Sequence, residues 1–473
     1  MTQGSIPRIL IAAAGSGSGK TMITCALLEV LRRRGLPLRA CKCGPDYIDP
    51  MFHRKVLGIE SRNLDSYFMN ADGILDALRR YPDECAVIEG VMGIYDGLDA
   101  GSKDGSCYEI AKISDTPVLL VVDASGVGRT VISQIKGILA DDRYGLIQGI
   151  LLNKISEVFY EKLFPVLKVE LKNAGHEKIH ILGGIPEIQG VGIGSRHLGL
   201  KLPDEVEDLK EKIARFADVL EDRCDIGTIV EMMESASQVS CHEEGSSKTS
   251  LPNKNTSDAP VIAIARDEAF CFYYEENIEA LQKAGACITY FSPIHDRCLP
   301  EGTSGLVLGG GYPELYLKEL SGNTALLDSI RAAISQGMPV IAECGGFLYL
   351  HRTVKDQNGM DYSLAGAIDD ECFYTDHLVR FGYMQITADN SSDPKAFGIS
   401  LNGIKGHEFH YYDSTRNGED CTAVKPTTGK TWKCMMAGEN RLWGFPHLYY
   451  PSCEGLTEGF VRVAGAYQRY VMR

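Results

Sequence analysis

"AAAGSGSGKTMIT", residues 12–24, is a run of small residues and glycines that ends in Gly19-Lys20-Thr21. It follows the apolar Ile9-Leu10-Ile11-Ala12-Ala13, which reads as a buried strand, and it leads into "TMITCALLEVLRRRG", which reads as helix. Strand, glycine loop and helix start together make a phosphate cradle. Glycines let backbone N–H groups approach phosphate oxygens with no Cβ in the way, and the helix start adds the positive end of its dipole. Gly15, Gly17 and Gly19 supply the loop, Lys20 a point charge for the outer phosphates, and Thr21 a hydroxyl for Mg²⁺. The loop is a variant of G-x-x-x-x-G-K-[ST], because position 14 is Ala14 where that pattern has glycine.

Outward from this loop, short apolar segments alternate with helical ones: Ile9 to Ala13, Leu38 to Cys43, Ala86 to Glu89, Val118 to Asp123, Gly149 to Asn153 and Ile179 to Ile185. That alternation predicts an α/β domain with a mostly parallel sheet. Residues 205–235 read as helix and close the first domain, assigned to residues 1–235. Residues 236–258, rich in Ser, Asn, Thr and Pro, read as a linker. A second α/β pattern begins at "VIAIARD", residues 261–267, and defines a domain over 259–473, with additional strands expected between Ala365 and Trp443.

With 473 residues the chain is about two to three times the usual domain size, which agrees with two domains. The net charge of -15 argues against nucleic-acid or anionic-membrane partners. No export signal and no bilayer-length apolar run is legible, so the cytoplasm is the expected location and the fifteen cysteines are read as reduced. "CKC" at Cys41 to Cys43 lacks a second ligand pair at zinc-site spacing.

Mg²⁺ binds through one or two carboxylates plus phosphate and water oxygens. Lys42, Asp46 and Asp49 in "KCGPDYIDP", and Glu89 and Asp96 in "CAVIEGVMGIYDG", fall where strands meet loops. Glu89 directly ends an apolar strand, the place from which a carboxylate reaches a ligand at the edge of a parallel sheet.

A second reactive centre is legible in "AECGGFLYL", where Cys344 sits between the apolar "PVIAE" and two glycines that open a helical run. This is a nucleophile elbow built around a thiol. The helix start is expected to favour thiolate, the Gly345 N–H to face a developing oxyanion, and the glycine loop "LGGGYPE", through Gly310, to supply a second donor. His407, His410 and His447 are the histidines to weigh as its base.

"AGSGSGKT", "GPDYIDP", "EGVMGIYDG", "LLNK", "SRHLGL", "GGGYPE", "AECGGFLYL" and "GHEFHYYDS", running nearly end to end, resemble the a,c-diamide synthase family. That family acts on cobyrinic acid, hydrogenobyrinic acid and nickel-sirohydrochlorin. The first half is also similar to dethiobiotin synthetase and the partitioning ATPases, whose loops commonly depart from strict spacing. The resemblance implies a P-loop-type ATPase domain joined to a class I, triad-type glutamine amidotransferase domain. ATP is then a co-substrate, Mg²⁺ the cofactor, and L-glutamine and a corrin-type macrocycle the other small-molecule substrates, with a homodimer as an option.

By the same resemblance Cys344 is the nucleophile and His447 its base, while Asp46, Asp49, Glu89 and Asp96 serve carboxylate activation. Thr21, Asp46 and Glu89 are the expected metal ligands and Asn153 an adenine contact. The wider class has a glutamate two residues after the histidine; here that position is Tyr449, which implies a Cys-His dyad. Lys42, His53, Arg54, Arg196 and His197 are candidates for a basic pocket holding the macrocycle's carboxylates. The reading from another class is a partner-regulated ATPase switch. It is disfavoured because no lysine stands among residues 12–18 and because a docking module has no use for an exposed thiol elbow.

Overall fold

A computed structural model describes residues 6–191, 195–196, 199–200, 206, 208–238, 259–388 and 393–471. The chain divides into two compact units, Met1–Gly245 and Ser246–Arg473. Of the expected linker only residues 236–238 fall within the description, and His197 lies outside the described residues.

The first unit is built on seven strands: β1 (Arg8–Ala13), β2 (Leu38–Cys43), β3 (Ser61–Leu64), β4 (Cys85–Glu89), β5 (Val118–Asp123), β6 (Ile147–Asn153) and β7 (His180–Ile185). They pair in the order β3-β2-β4-β1-β5-β6-β7, all parallel. Every residue of β1 is buried, as its apolar run requires of a central strand covered on both faces. Because β1 lies between β4 and β5, its chain exit and the exit of β4 open side by side at the carboxyl edge of the sheet. The first helix, α1 (Lys20–Arg33), starts at that edge and buries Met22 through Leu31.

Two expectations change in this unit. Strand β3, with sequence SRNL, is too polar to show a strand pattern, and it exists because β2 offers it a ladder from Ala40 to Cys43. The helix expected over 205–235 is two helices, Leu209–Arg223 and Ile226–Glu234. Asp225 starts the second by accepting the Thr228 N–H at 3.0 Å. The break lies directly over the sheet: at Gly183, where φ is +154°, an added Cβ would meet the Arg223 carbonyl oxygen at 2.2 Å.

The second unit has a six-stranded sheet made of β8 (Val261–Ala265), β9 (Cys287–Phe291), β10 (Thr303–Leu308), β11 (Val340–Glu343), β12 (Met436–Gly438) and β13 (Arg441–Gly444). Their order is β9-β8-β10-β11-β13-β12, parallel except for the hairpin of β12 and β13. The Tyr-, Thr- and Val-rich stretch supplies strands as anticipated. Arg380–Thr387, Lys405–His410 and His447–Leu448 belong to a separate five-stranded sheet. Among the described residues no helix is long and apolar enough to cross a membrane.

Cys344 follows β11 and opens the short helix Gly345–Leu350. That helix lies so close to β10 that a Cβ on Gly346 would sit 2.0 Å from the Leu308 carbonyl oxygen. Backbone cannot yield there as a flexible side chain would. Gly346→Ala is therefore expected to destabilise this unit by about 3 kcal/mol, read as a lowered melting temperature.

Candidate active site

A cavity of about 620 Å³ opens at the carboxyl ends of β1, β2 and β4. Gly17, Gly19, Lys20, Thr21, Lys42, Asp46, Asp49, Glu89 and Asn153 line it, so residues separated by up to 136 positions meet there because the sheet order brings their strand ends together. Gly19 has φ of +91°, and a Cβ on it would strike Asn153 Nδ2 at 2.4 Å. Only glycine satisfies both the left-handed backbone and that close approach. Asn153 in turn donates to the Ser18 carbonyl at 2.8 Å and fixes the loop.

Glu89 is the centre of the cavity floor. It is fully buried, and Thr21 Oγ1 donates to its Oε1 at 2.6 Å. Lys42 Nζ reaches the same oxygen at 3.1 Å, and His53 Nε2 lies 3.2 Å from Oε2. Burial alone would raise the carboxyl's pKa. The charge of Lys42, with His53 and the Thr21 hydroxyl, overcomes that and holds it well below the usual range, so Glu89 is an anion. Asp49 pairs with Lys42 on the other side, and burial followed by the nearby Glu89 charge raises it well above a normal aspartate.

Several expected residues take other places. Asp46 lines the cavity but turns Oδ1 to the N–H groups of Ile48 at 2.8 Å and Asp49 at 3.4 Å, the start of helix Ile48–Leu57. The carboxylate beside Thr21 is instead Asp49, at 3.4 Å. Asp96 accepts the Gly93 N–H at 2.8 Å, which folds its own loop, and it is not among the cavity-lining residues.

The basic-pocket candidates are also redistributed. Lys42 is engaged by Asp49 and Glu89, while His53 is fully buried between Glu89 and Ser61. Arg54 reaches the Ser61 carbonyl at 3.4 Å, away from the cavity lining. Arg196 sits in a two-residue strand paired with Gly199–Leu200.

Among the cavity residues that escaped the sequence reading, two bond the phosphate loop or its lysine. Lys154 Nζ bonds Asp123 at 2.6 Å and the Gly17 carbonyl at 3.1 Å, and "LLNK" carried it in plain view beside Asn153. Met92, at φ of +47°, presents the carbonyl that accepts from Lys20 Nζ at 2.6 Å. No residue type announces that second position, since the signal lies in its backbone.

In the second unit Cys344 has φ of +47° and ψ of -102°, a conformation that L residues rarely adopt and that lifts the side chain out of the strand-to-helix turn. Its amide donates to the Gly444 carbonyl at 2.9 Å, which pins the turn to β13. The glycine loop packs against it: a Cβ on Gly345 would meet Pro313 Cδ at 2.8 Å and the Gly311 amide at 3.4 Å. A Cβ on Gly310 would meet His447 Cε1 at 2.3 Å. Elbow, glycine loop and His447 thus converge from three distant stretches.

The other histidines are occupied differently. His410 lies between the Tyr412 carbonyl at 2.7 Å and Glu408 at 3.0 Å, and it stacks on Phe445. His407 contacts the Tyr274 hydroxyl at 3.1 Å and stacks on His447 at 5.0 Å. Burial, then the neighbouring His407 and His410, hold His447 well below an ordinary imidazole, so it is a neutral ring able to accept a proton. For Cys344 the balance runs against the thiolate expected from a helix start. Burial and then the charge of Glu314 push the thiol up, and the Gly345 N–H offsets only part of that.

A phosphate cradle over a buried anion in one unit, joined in the same chain to a thiol elbow in the other, defines an ATP-dependent glutamine amidotransferase. Residues 261–444 match the CobB/CobQ-like glutamine amidotransferase domain, and residues 9–199 match the CobQ/CobB/MinD/ParA nucleotide binding domain. The chain is 36% identical to the cobyrinate a,c-diamide synthase of Caldanaerobacter subterraneus over 446 residues, 93% of this chain and 94% of the relative. The synthases of Picrophilus torridus (35%, 97% of this chain and 98% of the relative) and Salmonella typhimurium (36%, 85% of each) are similar to it as well. The chain belongs to the cobyrinate a,c-diamide synthase family.

The cavity floor generates a prediction about stability. Lys42→Met leaves Asp49 and Glu89 side by side in a buried site with no ammonium between them. A loss of about 3–5 kcal/mol is expected, and denaturant melts at neutral pH check it.

Proposed function

We propose that this chain amidates the a and c side-chain carboxylates of cobyrinate in cobalamin biosynthesis, using ATP and glutamine-derived ammonia. The observation that carries the reading is the presence, in one chain, of the Thr21–Glu89 cradle and the Cys344 elbow, whose neighbouring glycine loop packs against a neutral His447. A carboxylate is a poor electrophile, so ATP converts it to an acyl phosphate. The loop glycines and Lys20 bind the phosphates and fix the γ-phosphoryl in line with the attacking oxygen, and positioning is the main contribution.

The donor set beside the loop suits Mg²⁺: a hydroxyl and carboxylates, all hard oxygen ligands. Such an ion completes its shell with phosphate and water oxygens. Thr21 and Glu89 would hold it, with Asp49 rather than Asp46 the adjacent carboxylate. It would neutralise charge on the transferred phosphoryl group.

In the second unit His447 removes the Cys344 proton as sulfur attacks the glutamine amide. The Gly345 and Gly310 amides face the developing oxyanion, ammonia leaves, and water resolves the thioester. Because the thiol is protonated at rest, proton transfer to His447 belongs to the attack itself rather than preceding it. Arg196 and His197 are retained as candidates for the macrocycle's carboxylates. We place the chain in the cytoplasm, with a homodimer as one option for its assembly.

The deciding experiment supplies ATP, Mg²⁺ and glutamine with cobyrinic acid, hydrogenobyrinic acid or nickel-sirohydrochlorin, and reads the products by mass spectrometry. Two carboxyl-to-amide conversions on cobyrinic acid are expected. Conversion of only another macrocycle reassigns the substrate, and no conversion of any rejects the reading. Cys344→Ala is expected to abolish glutamine-driven amidation while sparing the reaction driven by added ammonia. Since His447 acts as the neutral base and its pKa is lowered, the acid limb of glutamine hydrolysis should fall below 6.5, in a pH–rate profile of the intact enzyme.

A further inference from the structure

Glu343 links the two chain segments that carry the reactive groups of the thiol site and has no role in the steps above. It ends β11, it is 5% exposed, and it immediately precedes Cys344. Its Oε1 accepts the backbone N–H of Leu448 at 3.3 Å across 105 residues of sequence. Leu448 immediately follows His447. One side-chain hydrogen bond therefore joins the residue before the thiol to the residue after the imidazole.

The surroundings give that bond importance. The strand carrying His447 is only two residues long and pairs with Gly406 and His407 alone. Position 449, where the wider class carries its glutamate, is Tyr449, whose ring packs edge-on against Tyr274 at 6.1 Å. Tyr450 also hydrogen-bonds the Glu343 carboxyl. Asn277 completes the frame, donating to the Leu448 carbonyl at 2.8 Å and accepting the Tyr450 N–H at 2.8 Å. A carboxyl in the strand Val340–Ile341–Ala342 is costly to bury unless its hydrogen bonds are needed.

We propose that Glu343 is a positioning residue for the amidotransferase reaction: by holding the Leu448 N–H it fixes His447 against Cys344 in the absence of a glutamate at position 449. The proposal rests on the Cys344–His447 reading above. Burial raises the Glu343 pKa to about 8, so at neutral pH it holds the bond mainly as the neutral acid and keeps a full negative charge away from the neighbouring thiol. Glutamine has the same reach, is neutral and offers the same acceptor; methionine fills the space and offers none.

The test compares wild type, Glu343→Gln, Glu343→Met and Cys344→Ala in glutamine-driven and ammonia-driven amidation, with a thermal melt of each. Glu343→Gln should stay within about threefold of wild type, while Glu343→Met should lose about tenfold to a hundredfold in kcat for glutamine with KM little changed, the usual effect of a misplaced catalytic group. Ammonia-driven amidation should persist in both. Wild-type kcat in Glu343→Met overturns the proposal. So does a folded Glu343→Gln that is as inactive as Cys344→Ala, because the carboxyl would then act chemically rather than by position. Should Glu343→Met fail to melt cooperatively, Glu343→Gln alone decides. Persistence of glutamine use in Cys344→Ala would instead overturn the nucleophile assignment, a separable failure.

Discussion

The anion of Glu89 is the constraint on which the nucleotide unit depends. A carboxylate buried at the end of a central strand is untenable without compensation, and Lys42, His53 and Thr21 each come from a different element to supply it. Those contacts require β2 beside β4 and β4 beside β1, which is the observed order. They also bring the first residue after the phosphate lysine into contact with the anion, since Thr21 lies in the first turn of α1 while donating to Glu89. Sheet order, loop geometry and the charge of the floor are thus one arrangement.

The parts of this arrangement that were legible in the sequence are those with local signatures. Apolar runs such as Ile9 to Ala13 and Val118 to Asp123 marked strands because both faces of a parallel sheet are buried. The cradle was legible because glycine, lysine and threonine are each required at fixed offsets. What escaped depends on non-local pairing. β3 carries a polar sequence and owes its form to its neighbour, and the division of residues 209–234 into two helices falls where Gly183 admits the close approach of Arg223 and bridges to Cys224.

The same distinction holds within the sites. The sequence reading took Asp46 as the metal carboxylate from a motif that also holds Asp49, but only the fold shows that Asp46 starts a helix while Asp49 stands beside Thr21. Basic residues read as a substrate pocket proved to be the internal counter-charges: Lys42 and His53 face carboxylates of their own chain. A positive residue near a strand end carries no mark of whether its partner is a ligand or a neighbour across the sheet. Lys154 illustrates the converse, a cavity lysine passed over because it follows a residue that had a ready interpretation.

In the amidotransferase unit the elbow was legible but its electrostatics were not. The glycines after Cys344 announced the turn, whereas the field at sulfur comes from Glu314 and from burial, neither of which is local in sequence. A helix of six residues contributes a weak dipole, and a negative neighbour at a buried site outweighs it. A thiol kept protonated is sheltered from oxidants and from stray electrophiles, because the thiolate is the reactive form. On the proposed mechanism, reactivity is supplied at the moment of attack, by the His447 imidazole held neutral above all by burial. That division of labour makes the placement of the ring more important than its basicity, which is why a buried hydrogen bond tying the histidine's strand to the residue before the nucleophile belongs to the chemistry as well as to the fold.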